Sequence, residues 1–143
     1  MRYPTAEDWA YLAGMIDGEG CVAVELFTGG SIGITVTIVN SHRSMLDWLT
    51  DRFGGCIRPR PNPIRRWKKT WSWSVTGYAA DAILHRVSPI LIIKQQASWL
   101  TREAWAQRTP SPWRRITPEI KALRRGYYLA SRFLNQRGVP TDA

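Results

Sequence analysis

Residues 12–20, Leu-Ala-Gly-Met-Ile-Asp-Gly-Glu-Gly, constrain the fold most strongly, because they join a helix pattern to residues with very small side chains. Thr5 is the predicted N-cap of this helix, and two acidic residues follow in the first turn, where negative charge suits the helix dipole. Gly18 and Gly20 are predicted to end the helix, since glycine readily adopts the positive φ of a helix C-terminus. The sequence therefore predicts a helix that begins after Thr5 and ends near Gly18.

The predicted helix has two faces of different character. Apolar residues spaced at i, i+3 and i+7 indicate the face that packs on a core, and these are Trp9, Leu12 and Ile16. A second stripe has almost no side-chain bulk, and it consists of Ala10, Ala13 and Gly14. Such a stripe lets another helix approach nearly backbone to backbone, so we expect a second helix to cover it.

Two carboxylates lie at the C-terminal end of this helix, where the dipole disfavours negative charge. A divalent cation is the expected compensation for Asp17 and Glu19. If two copies of the helix pack through the small-residue stripe, a two-fold axis brings both Glu19 side chains together, and Mg²⁺ prefers one or two carboxylates plus phosphate oxygens. Asp17 is assigned to helix-end structure and, with Ala10, Ala13 and Gly14, to the interface between the copies.

The nine-residue stretch resembles the signature of the LAGLIDADG homing endonucleases. It matches at most positions, while Met15 replaces an aliphatic residue, Gly18 a small one and Glu19 the second Asp, for which Glu is a usual variant. The resemblance implies an α+β fold of order αββαββα, whose antiparallel sheet forms a saddle on DNA, with an extra C-terminal helix. Residues 1–107 would form the endonuclease core domain, and residues 108–143 a linker and basic C-terminal helix of the same domain.

The single motif and the chain length imply, through this resemblance, a homodimer that recognises a long near-palindromic DNA site. The family is intron-encoded in many cases and hydrolyses one phosphodiester per strand with Mg²⁺ or Mn²⁺, leaving short 3′ overhangs, whereas Ca²⁺ binds without supporting cleavage. The implied metal residues are Glu19 and Gly18. Lys94 matches the lysine beside the scissile phosphates, and a solvated residue at a helix start is the alternative. His42 and Arg43 are candidates for organising active-site water, or are solvent-facing residues of a first helical turn.

The charge of the chain favours a polyanionic partner. Lys and Arg total 20 against 11 for Asp and Glu, a formal net charge of +9, which indicates nucleic acid before membrane. Between Cys56 and Gly77 there are six basic residues and no acid, namely Arg58, Arg60, Arg65, Arg66, Lys68 and Lys69. We interpret this second hairpin as a double-stranded DNA contact rather than a solvated loop, and we expect Thr35 and Thr37 on the accessible sheet face to contact DNA as well.

Alternation and helical periodicity predict the remaining elements. A hairpin spans Cys21 to Ile38, and a helix capped by Ser41 continues to Phe53. The other elements are strands at 56–60 and 66–76, a helix at 78–88 that buries Ala79, a helix to about residue 107, and a C-terminal helix from Pro118 that carries many arginines, including Arg124. Trp71 and Trp73 are interpreted as core residues. Cys21 and Cys56, which form no Cys-x-x-Cys pair, are interpreted as small reduced core residues.

Two rival functions use the same fold: an RNA-binding intron maturase, with RNA as a secondary partner, and a DNA-binding regulator that does not cleave. The presence of Glu19 favours the nuclease over the regulator. Residues 1–8 lack a signal-peptide pattern, and no run approaches the roughly 18 apolar residues of a membrane span. We therefore expect an intracellular protein without a membrane partner, in the cytoplasm or nucleoid of a bacterium or phage-infected cell, or in an organelle matrix.

Overall fold

The computed structural model describes residues 3–61, 64, 68–109 and 115–136. The helices and strands follow the order predicted from the sequence, and the α+β class is confirmed. In chain order the elements are α1 (Ala6–Glu19), β1 (Gly20–Leu26), β2 (Ile32–Asn40), α2 (Arg43–Phe53), β3 (Cys56–Pro59), β4 (Trp71–Thr76), α3 (Gly77–Val87), α4 (Gln95–Ala106) and α5 (Pro118–Leu134). Among the helices of the described ranges, none is both long and apolar enough to cross a bilayer.

The four strands form one antiparallel sheet in the order β1-β2-β4-β3. Because strand side chains alternate between faces, every second residue of β1, β2 and β4 points to the helices. The core contains residues of this face together with residues of α1, α2 and α3: Val22, Ile34, Val36, Ile38, Trp73 and Val75 from the sheet, and Leu12, Ile16, Leu46, Leu49, Ile83, Leu84 and Val87 from the helices. Trp73 is fully buried, whereas Trp71 is half-buried at the core margin.

The start and the end of α1 agree with the sequence prediction, since Gly20 is the C-cap, but the predicted positive φ of the terminating glycines is wrong. The Thr5 hydroxyl accepts from the Asp8 N–H at 3.1 Å, while the Asp8 carboxylate accepts from the Thr5 N–H at 3.0 Å. Neither Gly18 nor Gly20 has positive φ, and Gly20 is extended with φ −87° and ψ 166°. Glycine is needed at position 20 for space, because a Cβ there would lie 2.7 Å from the Ile16 Cα.

Three further local predictions are wrong. Helix α2 has His42 rather than Ser41 as its N-cap, since the Asn40 side chain accepts the His42 N–H and ends the strand there. Helix α3 buries Ala80 and exposes Ala79, because Gly77, at φ 58°, starts the helix immediately after β4 and sets its phase. Cys21 and Cys56 are both exposed. Cys21 adjoins the buried Val22 in β1, so strand alternation turns its side chain away from the core.

Helix α5 covers the free edge of the sheet. Strand β1 is an edge strand, and edge strands leave backbone groups without partners. The Ser131 hydroxyl accepts from the Val24 N–H at 2.9 Å, and the Asn135 amide donates to the Val22 carbonyl at 3.0 Å. Because Ser131 and Asn135 are four residues apart, one face of α5 supplies both bonds.

Arg124, one of the many basic residues of α5, attaches this helix to the rest of the domain. The residue is 2% exposed. Its guanidinium donates to the Gly30 carbonyl at 2.8 Å, to the Gln107 carbonyl at 2.7 Å and to the Thr109 hydroxyl at 2.7 Å. The buried charge is therefore compensated by neutral oxygens, and it connects α5 to the β1–β2 turn and to the end of α4.

Replacing Arg124 by Met should lower the free energy of unfolding by on the order of 3 kcal/mol, because buried carbonyls lose a charged donor. Urea unfolding followed by circular dichroism would measure the change. The matched control is Arg125→Met, which alters an exposed neighbour in the same helix and should change stability by less than about 0.5 kcal/mol. Equal losses from both variants would contradict the anchoring role.

Candidate active site

The end of α1 opens onto a cavity of about 770 Å³. The strand and helix ends that surround it bring together residues that are far apart in the sequence. Its lining includes Glu19 from α1, Arg60 from beyond β3, Lys94 from the start of α4 and Gln136 from beyond α5. The cavity thus combines a carboxylate and two cationic side chains with the amides of Asn135 and Gln136.

Glu19 is exposed, and a neighbouring amide fixes its direction. Its Oε2 accepts a hydrogen bond from the Asn40 Nδ2 at 2.6 Å, and the Asn40 Oδ1 accepts from the His42 N–H at 2.8 Å. The two bonds determine which end of the Asn40 amide faces the carboxylate, because a backbone N–H can only donate. Asn40, at the last position of β2, therefore orients Glu19.

Asp17 has a different environment from Glu19, although only one residue separates them. Its carboxylate accepts three backbone N–H groups, from Ile92 at 2.9 Å and from Ile93 and Lys94 at 3.0 Å each. Hydrogen bonds from backbone N–H groups to a carboxylate are of the strong, charge-assisted kind. Asp17 thus connects the end of α1 to the segment that begins α4. Its carboxylate is bonded within its own chain.

Lys94 is both the N-cap of α4 and a lining residue of the cavity. Its backbone is held by Asp17, and its Nζ donates to the Gly20 carbonyl immediately after the end of α1. Desolvation by neighbouring groups raises the pKa of the Cys21 thiol, and the positive charge of Lys94 partly opposes this rise. Lys94 therefore lies at a helix start, as one of the two alternatives states, and also lines the cavity, while its place beside a scissile phosphate stays a prediction.

His42 and Arg43 lie at the start of α2 and are not among the residues lining the cavity. The Arg43 Nε pairs with the Asp47 carboxylate at 3.1 Å, and its guanidinium lies 5.8 Å from the centroid of the Trp71 ring. Sequence reasoning did not select Asn40 or Gln136 as site residues. The polar end of a strand was a signal for Asn40, whereas no sequence signal identified Gln136, because its position depends on how α5 packs.

The predicted DNA contacts fall on the exposed face of the sheet and beyond it. Thr35 and Thr37 alternate with buried residues of β2, and Arg58 pairs in register with Ser72 on the same exposed side. Lys68 and Lys69 are exposed, and the Lys69 Nζ lies 5.5 Å from the centroid of the Trp71 ring. Arg65 and Arg66 lie outside the described residues.

The exposed small-residue stripe of α1 differs in composition from the stripe that the sequence predicted. Ala13 is 2% exposed and belongs to the core of its own chain. Ala10, Gly14 and Gly18 are exposed at i, i+4 and i+8, and they line a groove of about 480 Å³. Glu19 lines this groove as well as the cavity, so it lies where the two meet.

Replacing Asp17 by Asn should destabilise the protein by roughly 2–4 kcal/mol, because the amide nitrogen cannot accept the N–H groups that it would face. Hydrogen exchange should become faster at the Ile92, Ile93 and Lys94 amides before it does in the sheet. Asp47→Asn is the control, since its ion pair with Arg43 is exposed and should contribute less than about 1 kcal/mol. Unchanged protection of the three amides in Asp17→Asn would contradict this anchoring.

No protein-family model and no curated protein matches the sequence. The homing endonuclease I-CvuI, solved in complex with its target, aligns over 94% of this chain and 86% of its own, with a TM-score of 0.75 and 16% identity. The archaeal intron-encoded homing endonuclease I-Vdi141I, solved with DNA, aligns over 96% and 89%, with a TM-score of 0.74 and 15% identity. The LAGLIDADG homing endonuclease I-SmaMI, bound to cleaved DNA, aligns over 75% of this chain and 38% of its own, with a TM-score of 0.54 and 19% identity. The chain therefore has the fold of the LAGLIDADG homing endonucleases.

Proposed function

We propose that this protein is a homodimeric, site-specific double-strand DNA endonuclease that requires a divalent cation. The observation that carries the proposal is the position of Glu19, where the small-residue groove of α1 meets the basic cavity. A carboxylate at that junction is available both to a partner copy and to a divalent cation that would lie between it and a phosphate. The I-CvuI and I-Vdi141I structures, which share the fold, are DNA complexes of homing endonucleases.

The exposed sheet face supports duplex DNA as the substrate. Its central positions are short and mostly neutral, which suits close approach to base edges in a groove. Arg58 and Arg60 lie at one end of this face without an acidic neighbour in β3 or β4. Arginine side chains there would contact phosphates or guanine, and the net charge of +9 would attract the polyanion over a longer range.

The oxygen donors at the end of α1 fit Mg²⁺ or Mn²⁺. The last carbonyls of a helix have no intrahelical partner, which leaves the Gly18 carbonyl available beside the Glu19 carboxylate. In the described part of the chain, no group of three or more His, Cys, Asp or Glu side chains could hold a metal. One carboxylate and one carbonyl per chain match a cation that takes its remaining ligands from a partner copy, water and DNA phosphates.

The roles of the protein side chains follow from their contacts. When bound, a divalent cation would supply an activated water nucleophile and stabilise the leaving 3′ oxygen. Asn40 holds the Glu19 carboxylate in one orientation, which preorganises the acidic ligand. Lys94 contributes a fixed positive charge to the cavity wall, where it would stabilise negative charge that develops on a phosphate. Two such sites, related by a two-fold axis, would cut one phosphodiester in each strand and leave short 3′ overhangs.

Replacing Glu19 by Gln should preserve DNA affinity within about threefold and abolish cleavage, because the amide keeps the shape but loses the charge that a cation needs. Affinity would be measured by fluorescence anisotropy, and cleavage by fragment analysis, on duplexes selected from a randomised library. Glu7→Gln, an exposed acid at the other end of α1, is the matched control and should cleave normally. Cleavage by Glu19→Gln at the wild-type rate would refute the assignment.

Replacing Gly14 by Leu should convert the protein to a monomer without altering its fold. A Cβ built at Gly14 meets no atom within 4 Å, so the isolated chain tolerates the side chain, whereas a closely packed partner helix would not. Sedimentation velocity would give the mass, and circular dichroism would report the fold. The control is Gly126→Leu in α5, where a Cβ also meets nothing within 4 Å. A dimeric Gly14→Leu protein would exclude α1 as the interface.

A further inference from the structure

Glu25 is unusual in the sheet because it is the only acidic residue in the strands of the described chain. It adjoins the buried Val24 in β1, so strand alternation puts it on the exposed face together with Ala23 and Thr35. Its partner in the register is Gly33 of β2. A negative charge therefore lies on the surface that the proposed function assigns to DNA.

The space above Gly33 is shared by two side chains. A Cβ built at Gly33 would lie 2.7 Å from the Phe27 Cε2 and 3.8 Å from the Glu25 Oε2. The absence of a side chain at position 33 thus lets the Phe27 ring lie across β2 beside the Glu25 carboxylate. Phe27 remains 53% exposed, so the ring and the carboxylate present one combined apolar and acidic surface.

Structural roles within the described chain do not account for the charge of Glu25. No hydrogen bond or ion pair joins its carboxylate to another described residue, although the chain carries a net charge of +9. A carboxylate is an acceptor only, and DNA phosphates repel it. The favourable DNA partner for such a group is therefore a hydrogen-bond donor on a base edge. In the major groove, only the cytosine N4 amino group is a donor without a competing acceptor on the same base.

We propose that Glu25 is a specificity-determining residue that selects a cytosine in each half-site, with the Phe27 ring packed against the same base. This inference rests on the proposed function, because it requires the exposed sheet face to enter the major groove. Adenine also carries an amino donor, but its N7 acceptor lies next to that donor and repels a carboxylate. The two-fold symmetry of a homodimer would repeat the cytosine preference at two symmetric positions.

The test is a binding selection from a randomised duplex library with the purified 143-residue protein in Ca²⁺, followed by sequencing of the bound DNA. The wild type should enrich cytosine at one position per half-site by on the order of tenfold. Glu25→Gln should move the preference at that position to adenine, since a glutamine amide pairs with adenine N6 and N7, and Glu25→Ala should remove it. Glu103→Gln, an exposed acid on α4, should leave every preference unchanged.

The possible outcomes distinguish a failure of the Glu25 assignment from a failure of the proposed endonuclease function. A wild type that enriches a site, with Glu25 variants that enrich the same site, would overturn the role of Glu25 and leave the endonuclease proposal intact. A wild type that enriches no duplex would overturn both. Circular dichroism of each variant checks the fold, and a change confined to one symmetric pair of positions supports direct contact by Glu25, because misfolding would weaken all positions together.

Discussion

The geometry of the candidate site depends on the Asp17 carboxylate and the three backbone N–H groups that it accepts. These bonds connect two segments that lie more than seventy positions apart in the chain. They hold the start of α4 against the end of α1, and this brings Lys94 to the cavity that Glu19 lines. One acid of the motif thus supports the structure, while the other remains exposed to the groove and the cavity.

The two faces of the sheet have different roles, because strand side chains alternate between them. The inward residues of β1, β2 and β4 are mostly apolar and buried, and their burial stabilises the domain. The outward residues are mostly small and polar. They bury little apolar surface, so they contribute little to the stability of the fold. Substitution on that face should therefore have little effect on stability, and under the proposed function it would change recognition of DNA. A surface of this kind allows binding preference to vary on a constant scaffold.

The sequence predicted those parts of the fold that local pattern controls. Helix α1 and its Thr5 cap could be predicted because capping and periodicity act within a few residues. The burial of Arg124 could not be predicted, since an arginine in a basic helix is normally exposed. The carbonyl partners of Arg124 come from two other segments of the chain. The link between Asn40 and Glu19 likewise depends on where β2 ends relative to α1. The local elements that carry the candidate site could therefore be predicted from the sequence, whereas contacts between separate elements could not, and the roles of the site residues stay predictions.

The joint between α5 and the β1–β2 turn has a consequence for the response of the protein to salt. The partners of the Arg124 guanidinium are two amide carbonyls and a hydroxyl, which carry no charge. Because Arg124 is 2% exposed, mobile ions screen these bonds much less than they screen an ion pair on the surface. The α5 joint therefore keeps its strength at ionic strengths that weaken the exposed pair of Arg43 and Asp47.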